Sequence, residues 1–164
     1  GAWMFDIVER LRLVAFDGAI TERPRGDFHP GYRDCPELRE ALAIEAVLKA
    51  GEPQEPDRIR GVIDTYAAKR KESQPRQASA GCTFKNPENG HAGKLIDELG
   101  LKGHRIGGAE VSPVHANFIV NQGGASAADV LALIRHIRAV VQRERGLTLE
   151  PELLLLGRNW EDVL

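Results

Sequence analysis

The sequence predicts an α+β fold in two lobes, and three observations carry that expectation. Strand-like and helix-like stretches are mixed without the regular strand-helix alternation of a doubly wound sheet. A hairpin pattern stands near the start, while the longest amphipathic helix stands near the end. Between them "ESQPRQAS" (Glu72 to Ser79) breaks the helical pattern, and a lobe boundary is placed there.

Taken in order, "ERLRLVAFDGAI" carries apolar residues at Leu11, Leu13, Val14 and Phe16 beside Asp17-Gly18, the pattern of a β-hairpin. "GDFHPGYRDC" has two prolines and two glycines and is expected to be irregular. Glu37 to Gly51 reads both ways: its alanines and glutamates favour a helix, whereas Leu42, Ile44, Ala46 and Leu48 alternate as in a strand. After Pro56, Ile59, Val62, Ile63, Tyr66 and Ala67 recur at helical spacing up to the basic end Lys69-Arg70-Lys71. "AGKLIDELGL" predicts a short helix stopped by Gly100, and "NFIVN" a buried strand. Ser126 with Asp129 three residues on predicts a capped helix whose apolar stripe runs Val130, Leu133, Ile134, Ile137, Val141 to a stop at Gly146. "TLEPELLLLG" reads as a terminal strand.

Composition narrows the function classes. With 164 residues, 42% of them hydrophobic, the chain has material for a core in one domain or two small ones. A net charge of -2 gives no general attraction to nucleic acid, although Lys69, Arg70 and Lys71 suit a small phosphorylated ligand. No apolar run has membrane-span length and the start lacks a signal-peptide pattern, so a cytoplasmic protein without a membrane partner is expected. Two cysteines, Cys35 and Cys82, are too few for a disulfide framework and are read as reduced. His91, His104 and His136 have no zinc-like spacing with either, so no metal is expected. Cys82 is the odd one, set in "SAGCTFKNP" between residues that favour a loop, with Gly81 freeing the backbone beside it. Read from the residues alone, it is either a small buried hydrophobe or a functional thiol.

"GYRDC", "AGCTFKNP", "AGKLIDELGLKGHRIGGAEVSPVHANFIVN" and "LEPELLLLG" occur in that order and spacing. Together they resemble the UDP-N-acetylenolpyruvoylglucosamine reductase (MurB) family of flavoenzymes. The resemblance implies a fragment without the family's glycine-rich flavin loop. Residues 1–72 would be the rear part of the FAD-binding domain, 73–150 a smaller α+β substrate-binding domain, and 151–164 a terminal strand and tail returning to the flavin domain. It implies FAD as cofactor, NADPH as co-substrate and UDP-N-acetylglucosamine enolpyruvate as substrate, in peptidoglycan precursor synthesis. The fragment alone would be inactive, and the alternative is a nucleotide-sugar binding module without redox activity. Self-association is expected through apolar faces at Leu11, Leu13, Leu153 and Leu155 left by truncated strands.

The same resemblance distributes the roles. Cys82 takes the place of the family's serine that protonates C2, Arg33 that of the arginine on the enolpyruvyl carboxylate, and Glu152, rather than Glu150, that of the catalytic glutamate. Lys85, Asn86, Arg70, His115 and Asn117 would contact the nucleotide sugar, Arg70 standing even with an ordinary solvated helix end and His115 with a locally bonded histidine. Tyr32, Gly81 and Gly107 would lie towards the cofactor. Gly107-Gly108 marks a tight turn against ligand or backbone and is not a dinucleotide fingerprint.

Overall fold

A computed structural model describes residues 3–164, and the chain divides into two compact units between Pro56 and Asp57. The first is a three-stranded antiparallel sheet, β1 (Val8–Ala15), β2 (Ile20–Pro24) and β3 (Ala41–Leu48), in the order β2-β1-β3. The β1-β2 hairpin turns at Asp17-Gly18 as the sequence predicts. Gly18 takes φ 87°, and the Asp17 carboxylate accepts the Ala19 N–H at 2.9 Å. A register irregularity between Val8 and Arg10 changes the phase of β1, so Val8, Leu11 and Leu13 are all buried together with Phe28. Arg10 and Arg12 point elsewhere and pair with Glu22 and Glu45 on the flanking strands.

β3 settles the ambiguity of residues 37–51 in favour of a strand. β1 offers it a full antiparallel ladder, and those backbone bonds outweigh the modest helical preference of alanine and glutamate. Leu11 and Leu13, expected to lack partners, are in fact covered by their own unit's Phe28 cluster. Exposed apolar side chains of this unit instead include Phe16, Ile20, Leu42, Ile44 and Leu48.

The second unit opens with α1 (Pro56–Ser73), on which no side chain is buried. The expected lobe boundary at residue 72 and the division after Pro56 differ by just this helix. Next come β4 (Ser79–Cys82), α2 (Ala92–Glu98), β5 (Arg105–Ile106), β6 (Ala109–Val111), β7 (Phe118–Asn121) and α3 (Ala127–Arg145). The four strands form an antiparallel sheet in the order β4-β7-β6-β5. α3 buries Leu133, Ile134, Ile137 and Val141 in a core shared with Phe84, Ile96 and Val111. Its ends are set as read: Ser126 and Asp129 form a reciprocal capping box, and Gly146 closes the helix at φ 65°. No helix among the described residues is long and apolar enough to cross a membrane.

The terminal segment corrects one expectation, because "TLEPELLLLG" forms no strand. It pairs with the loop after β4 only through a Phe84–Pro151 bridge, with Lys85 N–H donating to Glu150 at 2.8 Å and Glu152 N–H to Thr83 at 2.8 Å. Pro151 takes the non-hydrogen-bonded position of the bridge, where its nitrogen faces away from Phe84 and proline loses no ladder bond. Beyond it Leu154 and Leu156 are exposed, and the Trp160 indole donates to Leu153 O at 2.8 Å.

The apolar stripe of α1 generates a prediction. Ile59, Val62, Ile63 and Tyr66 are all exposed on one amphipathic helix, a surface that favours association. Light scattering of the isolated chain is expected to show concentration-dependent oligomers, and Ile59→Lys with Ile63→Glu to shift them to monomer. A parent chain that stays monomeric at high concentration would remove the role given to this face.

Candidate active site

The conformation of residues 79–87 follows from one glycine and one asparagine. Between Ser79, opposite Val120, and Cys82, opposite Phe118, the β4-β7 register is irregular, and Gly81 sits there at φ 87°. Only glycine adopts this backbone cheaply. Cys82 therefore closes a bulged edge strand instead of lying within a loop as the sequence suggested. The next residues are held by Asn117, whose backbone O accepts Thr83 N–H at 2.7 Å. Its side-chain amide accepts Phe84 N–H at 2.9 Å and donates to Phe84 O at 2.8 Å. Asn86 Oδ1 accepts Ala92 N–H at 3.0 Å, linking the loop to α2, and Lys85 is ion-paired with Glu150.

Cys82 lies where two clefts of the second unit meet. One, about 340 Å³, is mixed in character, its polar groups including Asn86, Lys94, Asp97, Lys102 and His115 beside Cys82. The other, about 560 Å³, is mostly apolar and is lined by Val130, Ile134, Leu153 and Trp160, with Cys82 and Glu152 as its chemistry-bearing groups. The fold thus brings Cys82 together with Asn86, His115 and Asn117 on one side and with Glu152 on the other. Arg70 lies exposed in the last turn of α1 and lines neither cleft.

Arg33 and Tyr32 belong to the first unit. They are the central residues of a turn closed by a Gly31–Asp34 backbone pair, and Arg33 is left-handed at φ 58°. Its guanidinium carbon stands 5.5 Å from the Tyr32 ring centre.

The electrostatics of the smaller cleft are set by two lysines and a neutral histidine. Lys102 pairs with Asp97 at 2.6 Å and Lys94 with Glu98 at 3.8 Å. Burial holds the His115 pKa below its ordinary value, and Lys102 acts in the same direction. Asn117 N–H donates to His115 Nδ1 at 3.2 Å, so the neutral ring carries its proton on Nε2. Sequence reasoning missed Lys94 and Lys102. The available signal was their eight-residue separation in "KLIDELGLK", which wraps one short helix and its closing turn around the cleft.

Of the two neighbours expected for the Gly107-Gly108 turn, ligand or protein, the described residues supply protein. A side chain at Gly107 would collide with the Asp129 carboxylate, and one at Gly108 would lie 2.5 Å from Ala125 N. The close approach is therefore protein on protein. The Asp129 pKa is held low by hydrogen bonds from the backbone N–H groups of Ser126 and Gly108, so the carboxylate is anionic and would repel a phosphate. Gly81, by contrast, faces open space.

A four-stranded antiparallel sheet packed with α2 and α3 defines an α+β domain. The family model described as UDP-N-acetylenolpyruvoylglucosamine reductase, C-terminal domain, matches residues 74–156, and the chain belongs to this family. The UDP-N-acetylenolpyruvoylglucosamine reductase of Geobacter metallireducens is 41% identical over 97% of this chain and 53% of its own length. That of Thermotoga maritima is 40% identical over 98% of this chain and 57% of its own. The crystal structure of UDP-N-acetylenolpyruvylglucosamine reductase (MurB) from Thermus caldophilus superposes with a TM-score of 0.76 at 39% identity, covering 92% of this chain and 53% of that one. The chain spans about half the length of the curated relatives it matches.

Two predictions follow from the thiols and from His115. Burial and the Glu37 carboxylate, which accepts from its Sγ at 3.3 Å, raise the Cys35 pKa, so Cys35 is short of thiolate. Mass spectrometry after brief iodoacetamide treatment is expected to find Cys82 modified first, and Glu37→Gln to speed modification of Cys35; preferential labelling of Cys35 in the parent would reverse the assignment. His115 is held neutral, with a folded pKa below the unfolded one. Its contribution to stability is present above the ordinary histidine pKa of about 6.5 and is lost as pH falls below it. Melting temperatures are expected to drop from pH 7 to 5, with a shallower drop in His115→Asn. An equal slope in the variant would assign the effect elsewhere.

Proposed function

We propose that this chain provides the substrate-handling half of a cytoplasmic reductase that converts UDP-N-acetylglucosamine enolpyruvate to UDP-N-acetylmuramate, using FAD and NADPH, in peptidoglycan precursor synthesis. The observation that carries the reading is Cys82, a half-buried thiol at the junction of a cleft lined by Lys94, Asp97 and Lys102 and an apolar groove that also contains Glu152. Net reduction adds hydride at C3 and a proton at C2 of the enolpyruvyl ether. The Gly107-Gly108 turn packs on Asp129 and Ala125 and is not itself a phosphate cradle. This chain's residues answer for charge and for the proton.

Lys94 and Lys102 line the smaller cleft and are the cations a diphosphate would draw on, in exchange for their present carboxylate partners Glu98 and Asp97. Asn86 lines the same cleft, while Asn117 contributes through the loop that it clamps, its amide being spent on Phe84. Arg33 supplies a two-pronged cation for the enolpyruvyl carboxylate, whose negative charge grows as hydride arrives. Cys82 then delivers its proton to C2. A thiol is a stronger acid than an alcohol, which makes that donation less costly than from serine. Glu152 shares the groove and is the competing donor. The second reading is a nucleotide-sugar binding module without redox activity, and visible flavin absorbance in the purified chain would count against it.

The test places this chain in a chimera, replacing the matching half of the Thermotoga maritima relative. Cys82→Ala is expected to leave flavin reduction by NADPH near the parental rate and to slow reoxidation by the enolpyruvyl substrate by about 10²–10⁴-fold. Cys82→Ser is expected to recover much of that loss. Stopped-flow flavin absorbance separates the two half-reactions, and parental reoxidation in Cys82→Ala would overturn the proton-donor role.

A further inference from the structure

Arg33 is the one non-glycine residue with positive φ among those described, and it occupies the third position of its turn, where glycine is the favoured residue. Arginine lacks the short polar side chain that eases asparagine or aspartate into this conformation. Such a residue persists only where its surroundings over-determine it. Here the surroundings do so from both sides. Asp34, directly after Arg33, is gripped by Arg39 through Nη2–Oδ2 at 2.7 Å and Nε–Oδ1 at 3.2 Å. Glu37 reaches back across the turn: its carboxylate accepts the His29 N–H at 3.2 Å, meets His29 Nδ1 at 2.7 Å and accepts from Cys35 Sγ at 3.3 Å. Both braces are anchored on the short 3-10 turn Pro36–Leu38 and its closing residue Arg39.

We propose that Glu37 and the Asp34–Arg39 pair are positioning residues that lock Arg33 in its left-handed turn and thereby set selectivity for a substrate carboxylate. The proposal rests on the reading of Arg33 as the carboxylate's partner. A guanidinium fork binds a carboxylate through both prongs only when its direction is fixed, and a turn free to relax would present it in that direction for a fraction of the time. Left-handed strain is worth roughly a 5–30-fold change in population, so loss of the braces is expected to cost that factor in carboxylate-dependent affinity.

The experiment compares, by calorimetry on the full 164-residue chain, UDP-N-acetylglucosamine enolpyruvate with UDP-N-acetylglucosamine, which lacks the carboxylate. The parent is expected to prefer the enolpyruvyl ligand, and Arg33→Ala to abolish the preference. Arg39→Gln, a change at an exposed side chain, and Glu37→Gln are each expected to reduce it with affinity for the plain nucleotide sugar unchanged. The swap Asp34→Arg with Arg39→Asp is expected to restore it. The amide-to-Hα coupling of Arg33 in solution NMR, which reports φ, is expected to move to the right-handed value in the brace variants and to return in the swap. Preference retained in Arg39→Gln and Glu37→Gln, while Arg33→Ala loses it, would overturn the bracing and leave the Arg33 reading standing. A parent without preference, or an Arg33→Ala that keeps it, would overturn both.

Discussion

The buried Asn117 amide, bonded twice to the backbone of Phe84, is the constraint on which the site depends. Its cost if broken is large, because Asn117 and Phe84 are both almost fully buried and each orphaned polar atom would have no water to turn to. The clamp fixes Thr83 and Phe84 against the end of β7, and Phe84 in turn fills the core beneath α3. The terminal segment then hangs on that fixed loop through Thr83, Phe84 and Lys85, which brings Glu152 to the same groove as Cys82. One asparagine thus connects the sheet, the thiol and a carboxyl group 35 residues further along the chain.

The two cysteines show how environment separates like groups. Cys35 is held as a thiol by burial and by the neighbouring carboxylate of Glu37, whose own pKa is lowered to about 2, first by the hydrogen bond from His29. It belongs to the bracing of the Arg33 turn. Cys82 ends a bulged edge strand and opens onto two clefts of different character, one carrying lysines and the other leucine, isoleucine and valine. On the proposed function, a thiol between these two clefts would be placed to put a proton on a carbon next to a carboxylate.

The hairpin, the irregular 26–35 stretch, α2, β7 and α3 with both of its caps were legible in the sequence, because each is fixed by short-range chemistry: turn residues, helical periodicity, a serine with its aspartate, a glycine at the left-handed stop. The ordered motifs likewise sufficed to place the chain in its family. What the tertiary structure alone decided depends on partners distant in sequence. Residues 41–48 became a strand because β1 was there to pair with them, and "TLEPELLLLG" is held through the single Phe84–Pro151 bridge and its two flanking bonds. Leu11 and Leu13 are covered because an irregularity in β1 turns them, with Val8, onto Phe28. Lys94 and Lys102 join Cys82 only once α2 is folded against the loop, and Gly107 meets Asp129 only once α3 is in place. Local sequence specifies backbone dihedrals and capping, whereas which side chains share a cleft is fixed by packing between segments tens of residues apart, and no pattern of neighbouring residues records it.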